Sequence, residues 1–239
     1  MFNRSPFLMM RPIHFLLASQ SPRRRELLGL LPYPFEIAIP DVDEDFHLDR
    51  EPDAYVLHTA EQKGEAIATG LTPSANAPII IAADTTVALE GEILGKPGDN
   101  KEARNMLLKL RGRTHQVHTG LCVVDIATGR RFGSVHTAAV TMRHYSAIEV
   151  DAYIATGDPF DKAGAYAIQH PLFQPVERLE GCFLGVMGLS VCDLIDQLIR
   201  NNIHVKFDAA VIHAAHQGFA CPILVSTARM SRFDSQKGT

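Results

Sequence analysis

Short apolar runs alternate along this chain with longer stretches whose apolar residues recur at helical spacing. Residues 13–18 form an apolar run closed by polar residues, the pattern of a buried strand. Ser21 can cap free helical N–H groups and Pro22 is pre-set for a first helical turn, so a helix is predicted there, with Leu27, Leu28 and Leu31 turned inward. Residues 35–39 read as a second strand, followed by an acidic loop holding Asp41, Asp43, Glu44 and Asp45. Residues 52–69 carry Leu57, Ala60, Gly64 and Ile67 on one stripe and predict a long helix stopped by Gly70, with Lys63 interrupting its polar face. Residues 78–89, with Ile79, Ile80 and Ile81 as a fully buried run, predict a strand that Glu90-Gly91 turns. A helix is expected over 99–111, a hairpin from 115–125 and 131–143 through Thr128-Gly129, a helix over 146–156, a strand over 165–169 and a helix over 191–201. This alternation places the chain in the α/β class. Beyond residue 202 the pattern weakens to apolar patches at 209–215 and 222–225.

Composition narrows the possibilities. With 239 residues, 46% hydrophobic and 21% charged, the chain can bury a core of useful size without staples. A net charge of −4 argues against a general nucleic-acid binder, whose affinity rests on a basic excess. The local run Arg23-Arg24-Arg25 keeps a small anionic ligand open. Cys122, Cys182, Cys192 and Cys221 form no CxxC pair and show no zinc-ligand spacing with a histidine cluster, so they read as reduced and mostly buried. The apolar run near the start is too short for a signal-peptide core and contains His14; it reads as a strand after a loose leader. With no run long enough to span a membrane, the cytoplasm is the expected location.

Four islands carry chemistry. Ser21, Arg23 and Arg24 stand at a strand exit and a helix mouth, where N–H groups and guanidinium forks suit phosphate; a plainly capped helix with solvated arginines is the alternative. Asp84 follows five apolar residues and is expected where a buried strand ends, as a metal ligand, a general base or a turn cap. Lys96, between Gly95 and Pro97, sits on a stiff turn and is either a phosphate contact or an exposed lysine. The small residues after Asp161 lead to Gln169, whose amide can read a base edge or simply face solvent.

Together LASQSPRRRELL, QKGEAIA, AADTTVALEGEILGKP, GRTHQVHTG, DKAGAYAIQ and VMGL resemble the Maf family of nucleoside triphosphate pyrophosphatases, in the family's order and over residues 13–197. The resemblance divides the chain into a leader (1–12), a Maf-like domain (13–201) and a C-terminal extension (202–239). It implies an α/β fold with a mixed twisted sheet flanked by helices and a deep central cleft, similar to inosine triphosphate pyrophosphatases, in a homodimer. It also implies cleavage between the α and β phosphates with magnesium or manganese. By the same resemblance Asp84 is the proton acceptor, assisted by Lys63 and Lys96; Ser21, Arg23 and Arg24 bind substrate; and the metal falls on Asp84 with Asp43 or Glu44. Base choice tracks Arg23, Thr85 and Gln169, and this set is similar to the branch acting on dTTP and UTP, a nucleotide-pool house-cleaning role. Alternatives are a pyrophosphatase for another canonical or modified nucleotide and a weakly active nucleotide-binding regulator of cell division; no nucleic-acid or membrane partner is expected.

Three departures from the family pattern stand out. His170-Pro171 replaces a glycine after the glutamine, Gly185 lacks a polar side chain expected to contact ligand, and Ser190 replaces the proline that opens the last helix.

Overall fold

The apolar run at 79–83 is buried because it lies in the middle of a sheet. The structure, a computed structural model, describes residues 11–42 and 51–224. Its strands are β1 (Phe15–Ala18), β2 (Phe35–Ala38), β3 (Ile79–Leu89), β4 (Glu92–Leu94), β5 (Thr114–Asp125), β6 (Arg130–Met142) and β7 (Val176–Glu180). They form one seven-stranded mixed sheet in the order β2-β1-β3-β5-β6-β7, with β4 paired to β3. β1 runs parallel to β2 and β3; the remaining pairs are antiparallel. The helices are α1 (Pro22–Leu28), α2 (Pro52–Ala68), α3 (Asn100–Leu110), α4 (Ala147–Ile154), α5 (Phe183–Met187), α6 (Val191–Arg200) and α7 (Ala209–Ala215). No helix among the described residues is long and apolar enough to cross a membrane.

Alternation along β3 divides the core between the two faces of the sheet. Ile79, Ile81, Ala83, Val87 and Leu89 enter the larger core, shared with Phe183, Leu184 and Leu194 of α5 and α6. Ile80 and Ala82 point the other way, to Cys122, Val124 and Ala60 of α2. Glu90 and Gly91 both adopt positive φ, 53° and 85°, the two-residue turn whose twist suits a hairpin, and it returns the chain as β4.

Several sequence expectations change. The 165–169 segment is not a strand. It follows a single 3₁₀ turn, Ala163–Ala165, in which Gly164 and Ala165 have φ of 67° and 61°, a left-handed geometry no strand residue takes. The turn packs against β3 and α3, Tyr166 meets His115 of β5, and burial alone does not distinguish a strand from a packed loop. The inward stripe of α2 is Tyr55, Val56, Thr59, Ala60, Lys63 and Gly64, so Lys63 lies on the buried face and not among solvated residues. Asp84 is not at a strand end either; it is the sixth residue of the 11-residue β3. The tail also contributes. Ile212, Cys221 and Leu224 belong to the main core, and the Lys206 N–H donates to Tyr33 Oη at 2.6 Å.

Two features of the sheet prepare a site around Asp84. One edge of β3 is paired with β5 from Ile79 to Ala88, but on the other β1 pairs only as far as Ile81 and β4 begins only at Val87. Between them β3 has an open flank carrying Asp84, Thr85 and Thr86. The second feature is Gly120, directly across from Asp84 in the β3–β5 ladder. A Cβ on Gly120 would stand 2.3 Å from the Val56 carbonyl oxygen of α2. Hydrogen alone at this position allows the helix to lie close enough for Lys63 to reach the strand.

Gly120→Ala is expected to push α2 off the sheet and destabilise the fold by about 1–3 kcal/mol, the usual cost of overpacking. Thermal denaturation should show a Tm lower by about 2–10 °C for a chain of this size. An unchanged Tm would show that the helix has room to spare.

Candidate functional site

A cavity of about 740 Å³ opens at the unpaired flank of β3, within the size range of small-molecule sites. Ser21, Arg23, Arg24, Lys63, Asp84, Thr85, Lys96 and Gln169 all line it. Asp43 and Glu44 lie outside the described residues. Residues spread over some 150 positions therefore share one concave surface, and the alternation of β3 sends Asp84 and Thr85 to opposite faces of the sheet at its rim.

Asp84 is on the α2 side. Lys63 Nζ donates to Asp84 Oδ1 at 2.7 Å, and the two residues are only 4% and 8% exposed. Neither charge would survive burial alone; each offsets the desolvation of the other. With Oδ1 engaged by the ammonium, the second carboxylate oxygen remains for other chemistry. Among the described residues no three carboxylate, imidazole or thiol groups converge in this cavity. Its donor set suits a hard ion that takes one or two protein carboxylates and completes its shell with water and phosphate oxygens.

Thr85 is on the other side. Its hydroxyl lies 3.1 Å from Thr119 Oγ1 and 3.3 Å from the Gly188 carbonyl. Arg24 donates to that same carbonyl through Nε at 2.9 Å, and to Ser19 Oγ at 3.3 Å and Thr85 Oγ1 at 3.5 Å. It thus joins α1, β3 and the end of α5. Ser21 caps α1, its Oγ accepting from the Arg24 N–H at 3.4 Å.

The segment that reaches Gln169 is held by charges that residue spacing did not single out. Lys162, buried, has its ammonium 2.6 Å from the Asp158 carbonyl, 2.9 Å from Asp158 Oδ1 and 2.6 Å from Asp161 Oδ1. The other Asp161 oxygen accepts from Arg23 Nη1 at 2.9 Å. Burial opposes ionisation of Asp158 and Asp161, but hydrogen bonds from Tyr153 and Lys162 to the first, and from Lys162 and Arg23 to the second, hold both carboxyls below their ordinary range. Tyr153 Oη donates to Asp158 at 2.6 Å and accepts the Ala167 N–H at 3.1 Å. Tyr166 is pinned from β5: its hydroxyl lies 2.7 Å from His115 Nε2, and burial lowers the His115 pKa to about 4. The Gly164 N–H donates to the Gly95 carbonyl at 3.0 Å, which fastens the turn carrying Lys96 to the same segment. The signal for Asp161 and Lys162 was their place in the DKAGAY run; their partners were not visible there.

The three departures have structural explanations. His170 Nδ1 accepts the Phe173 N–H at 2.9 Å and its ring meets Tyr153 edge-on, so His170 anchors the segment after Gln169. Gly185 is outside the cavity lining, and a Cβ there would stand 2.8 Å from the His136 ring. A side chain at this position would meet His136, while the Gly185 carbonyl accepts from Thr119 Oγ1 at 2.9 Å. Ser190 caps α6 through the Asp193 N–H at 3.3 Å, supplying the start signal that a proline would otherwise provide.

Comparison with known proteins follows the same residues. A family model described as Maf-like protein matches residues 14–201. A dTTP/UTP pyrophosphatase of Geotalea uraniireducens (strain Rf4) is 40% identical over 193 residues, 81% of this chain and 97% of that protein. One of Caldanaerobacter subterraneus subsp. tengcongensis is 43% identical over 191 residues, 80% of this chain and 90% of that protein. The Staphylococcus aureus Ham1 protein structure is 17% identical, covers 65% of this chain and 87% of its own, and superposes with a TM-score of only 0.38.

Lys63→Met should leave the Asp84 carboxylate without its counter-charge. Because Asp84 borders a cavity, a stability loss at or below the low end of the ~3–5 kcal/mol typical of broken buried pairs is expected. Lys63→Met with Asp84→Asn should recover much of it. Urea unfolding at neutral pH checks both; a single variant as stable as the parent would show that the pair carries no such weight.

Proposed function

The chain belongs to the Maf family, and on that premise we propose that it hydrolyses nucleoside triphosphates to nucleoside monophosphate and pyrophosphate, with dTTP and UTP as its preferred substrates. This is a house-cleaning activity on the nucleotide pool. The observation that carries the reading is the buried Lys63–Asp84 pair set in a cavity whose other walls bring Arg23, Arg24, Lys96 and Gln169.

A triphosphate repels an attacking hydroxide, so catalysis must first gather positive charge and then position water. Lys96, exposed on the turn at the cavity wall, is suited to a phosphate oxygen. Arg23 and Arg24 lie at the mouth of α1, where phosphate oxygens can compete with their present protein acceptors, the longer Arg24 contacts most easily. Asp84, held by Lys63, is the group placed to take a proton from the attacking water through its second oxygen. Water attacks the α-phosphorus, the bond to the bridging oxygen breaks, and pyrophosphate leaves. A bound magnesium or manganese, held by Asp84 with Asp43 or Glu44, would neutralise phosphate charge and polarise the reacting phosphorus. Gln169 offers one donor and one acceptor to a base edge, and Thr85 and Arg23 flank the same space. We also propose, from the family resemblance, that the enzyme is a homodimer, and that it works in the cytoplasm; no described helix is long and apolar enough to cross a membrane.

Asp84→Asn keeps the shape and removes the proton acceptor; pyrophosphate release from dTTP with magnesium or manganese should fall roughly 100-fold or more. Turnover near the parent level would refute the role, and tight nucleotide binding by the parent without pyrophosphate release would refute the activity. Gln169→Ala should alter the ranking of bases in a panel of natural and modified triphosphates more than the highest rate. Equal losses for every base would assign Gln169 to structure instead of base reading.

A further inference from the structure

Away from the cavity, three of the four cysteines meet a histidine. Cys182 precedes α5, Cys192 lies in the first turn of α6, His216 closes α7, and Cys221 follows it. The three thiols are not joined to one another, and the four residues are buried, three of them completely. Their ligand atoms all lie within 4.8 Å of one another. His216 Nε2 is 3.5 Å from Cys182 Sγ and 3.6 Å from Cys192 Sγ. A tetrahedral ion with metal–sulfur bonds near 2.3 Å and a metal–nitrogen bond near 2.0 Å sets its sulfur and nitrogen ligands about 3.5–3.6 Å apart.

The histidine is also oriented as a ligand requires. Its Nδ1 lies 2.7 Å from the Ile212 carbonyl, one turn back in α7. A carbonyl only accepts, so Nδ1 carries the proton and the Nε2 lone pair faces the sulfurs, the arrangement typical of metal-bound histidine. Phe183, the residue after Cys182, stacks on Phe219 with ring centroids 5.3 Å apart. None of the four residues lines the nucleotide cavity.

We propose that Cys182, Cys192, His216 and Cys221 bind a single zinc ion in a closed tetrahedral site that fastens the C-terminal segment to the nucleotide-binding domain. Three cysteines and a histidine are a standard structural zinc set, and four protein ligands leave no open position for catalysis. The three thiols lose their protons to solvent as the ion enters, because the thiolate is the ligand. Iron–sulfur clusters spread their cysteines around several metal atoms, whereas this span suits one ion. Two ligands come from the part of the chain matched by the family and two from beyond residue 201. The site therefore accounts for the return of α7 to the core. The sequence expectation of reduced, buried cysteines agrees with the structure; spacing did not reveal their meeting with His216, because folding joins one pair ten residues apart to another five apart, and neither spacing is a familiar zinc signature.

The test is elemental analysis of the full chain, purified under reducing conditions from zinc-supplemented medium. About one zinc per chain is expected, retained by Asp84→Asn and lost in His216→Gln and Cys221→Ser. Cobalt loaded in place of zinc should give the intense visible bands of a tetrahedral thiolate site, a readout on the parent protein that depends on no variant folding. Removing the ion should hasten amide exchange in α7 while leaving β3 and β5 protected. A parent protein that holds neither zinc nor the cobalt signature, or in which mass spectrometry finds two of these cysteines joined as a disulfide, overturns the site. So does zinc that survives both ligand substitutions or that leaves with Asp84→Asn, since the ion would then sit in the cavity.

Discussion

An ammonium and a carboxylate held 2.7 Å apart, with little access to solvent, impose conditions on everything around them. Each would be costly to bury alone, so strand and helix must meet in one register and at one separation. The register comes from the β3–β5 ladder, which sets Asp84 across from Gly120. The separation comes from the missing Cβ at Gly120, against which the backbone of α2 rests. The pair is accessible at all because β1 ends and β4 has not begun beside the middle of β3. A continuous sheet would have sealed this flank with a neighbouring strand; the interruption turns it into a cavity floor.

Around that floor, charge is organised before any ligand arrives. Arg23, Asp161, Lys162 and Asp158 form a chain in which acids and bases alternate, and Arg24 binds three segments at once. The network offsets each charge with an opposite neighbour and holds Arg23 and Lys162 at the cavity wall. It also fixes Gln169, which has no backbone ladder of its own. The loop carrying it is held by Tyr153, His115 and His170 instead of by a neighbouring strand. The departures at His170, Gly185 and Ser190 fit this picture, since each side chain, or its absence, matches a specific neighbour.

The C-terminal segment follows a different logic. It lies beyond the nucleotide site, yet Ile212, Cys221 and Leu224 enter the main core and His216 is fully buried. A buried imidazole facing three sulfurs is an unusual way to fill space with apolar side chains available, and the zinc site proposed above would make the attachment of this segment depend on redox state and metal supply.

How much of this could be read from the chain alone depended on range. The first strand, the capped helix at Ser21, the long helix over 52–69, the 115–143 hairpin and the α/β class followed from periodicity and capping, because these are set by neighbours within a few residues. The motif islands also named cavity residues in advance, since Arg23, Lys63, Asp84, Lys96 and Gln169 stand in a recognisable order. The 165–169 segment was misjudged because burial by packing and burial in a sheet leave the same apolar trace. Lys63 on the inner face of its helix, Asp84 in mid-strand and the meeting of Cys182, Cys192, His216 and Cys221 were decided only by tertiary structure. The physical reason is common to all three. A charge or a thiol carries no sign of its partner in the residues beside it, and the partner that makes its burial tolerable arrives from a distant part of the chain only when the sheet and helices have closed.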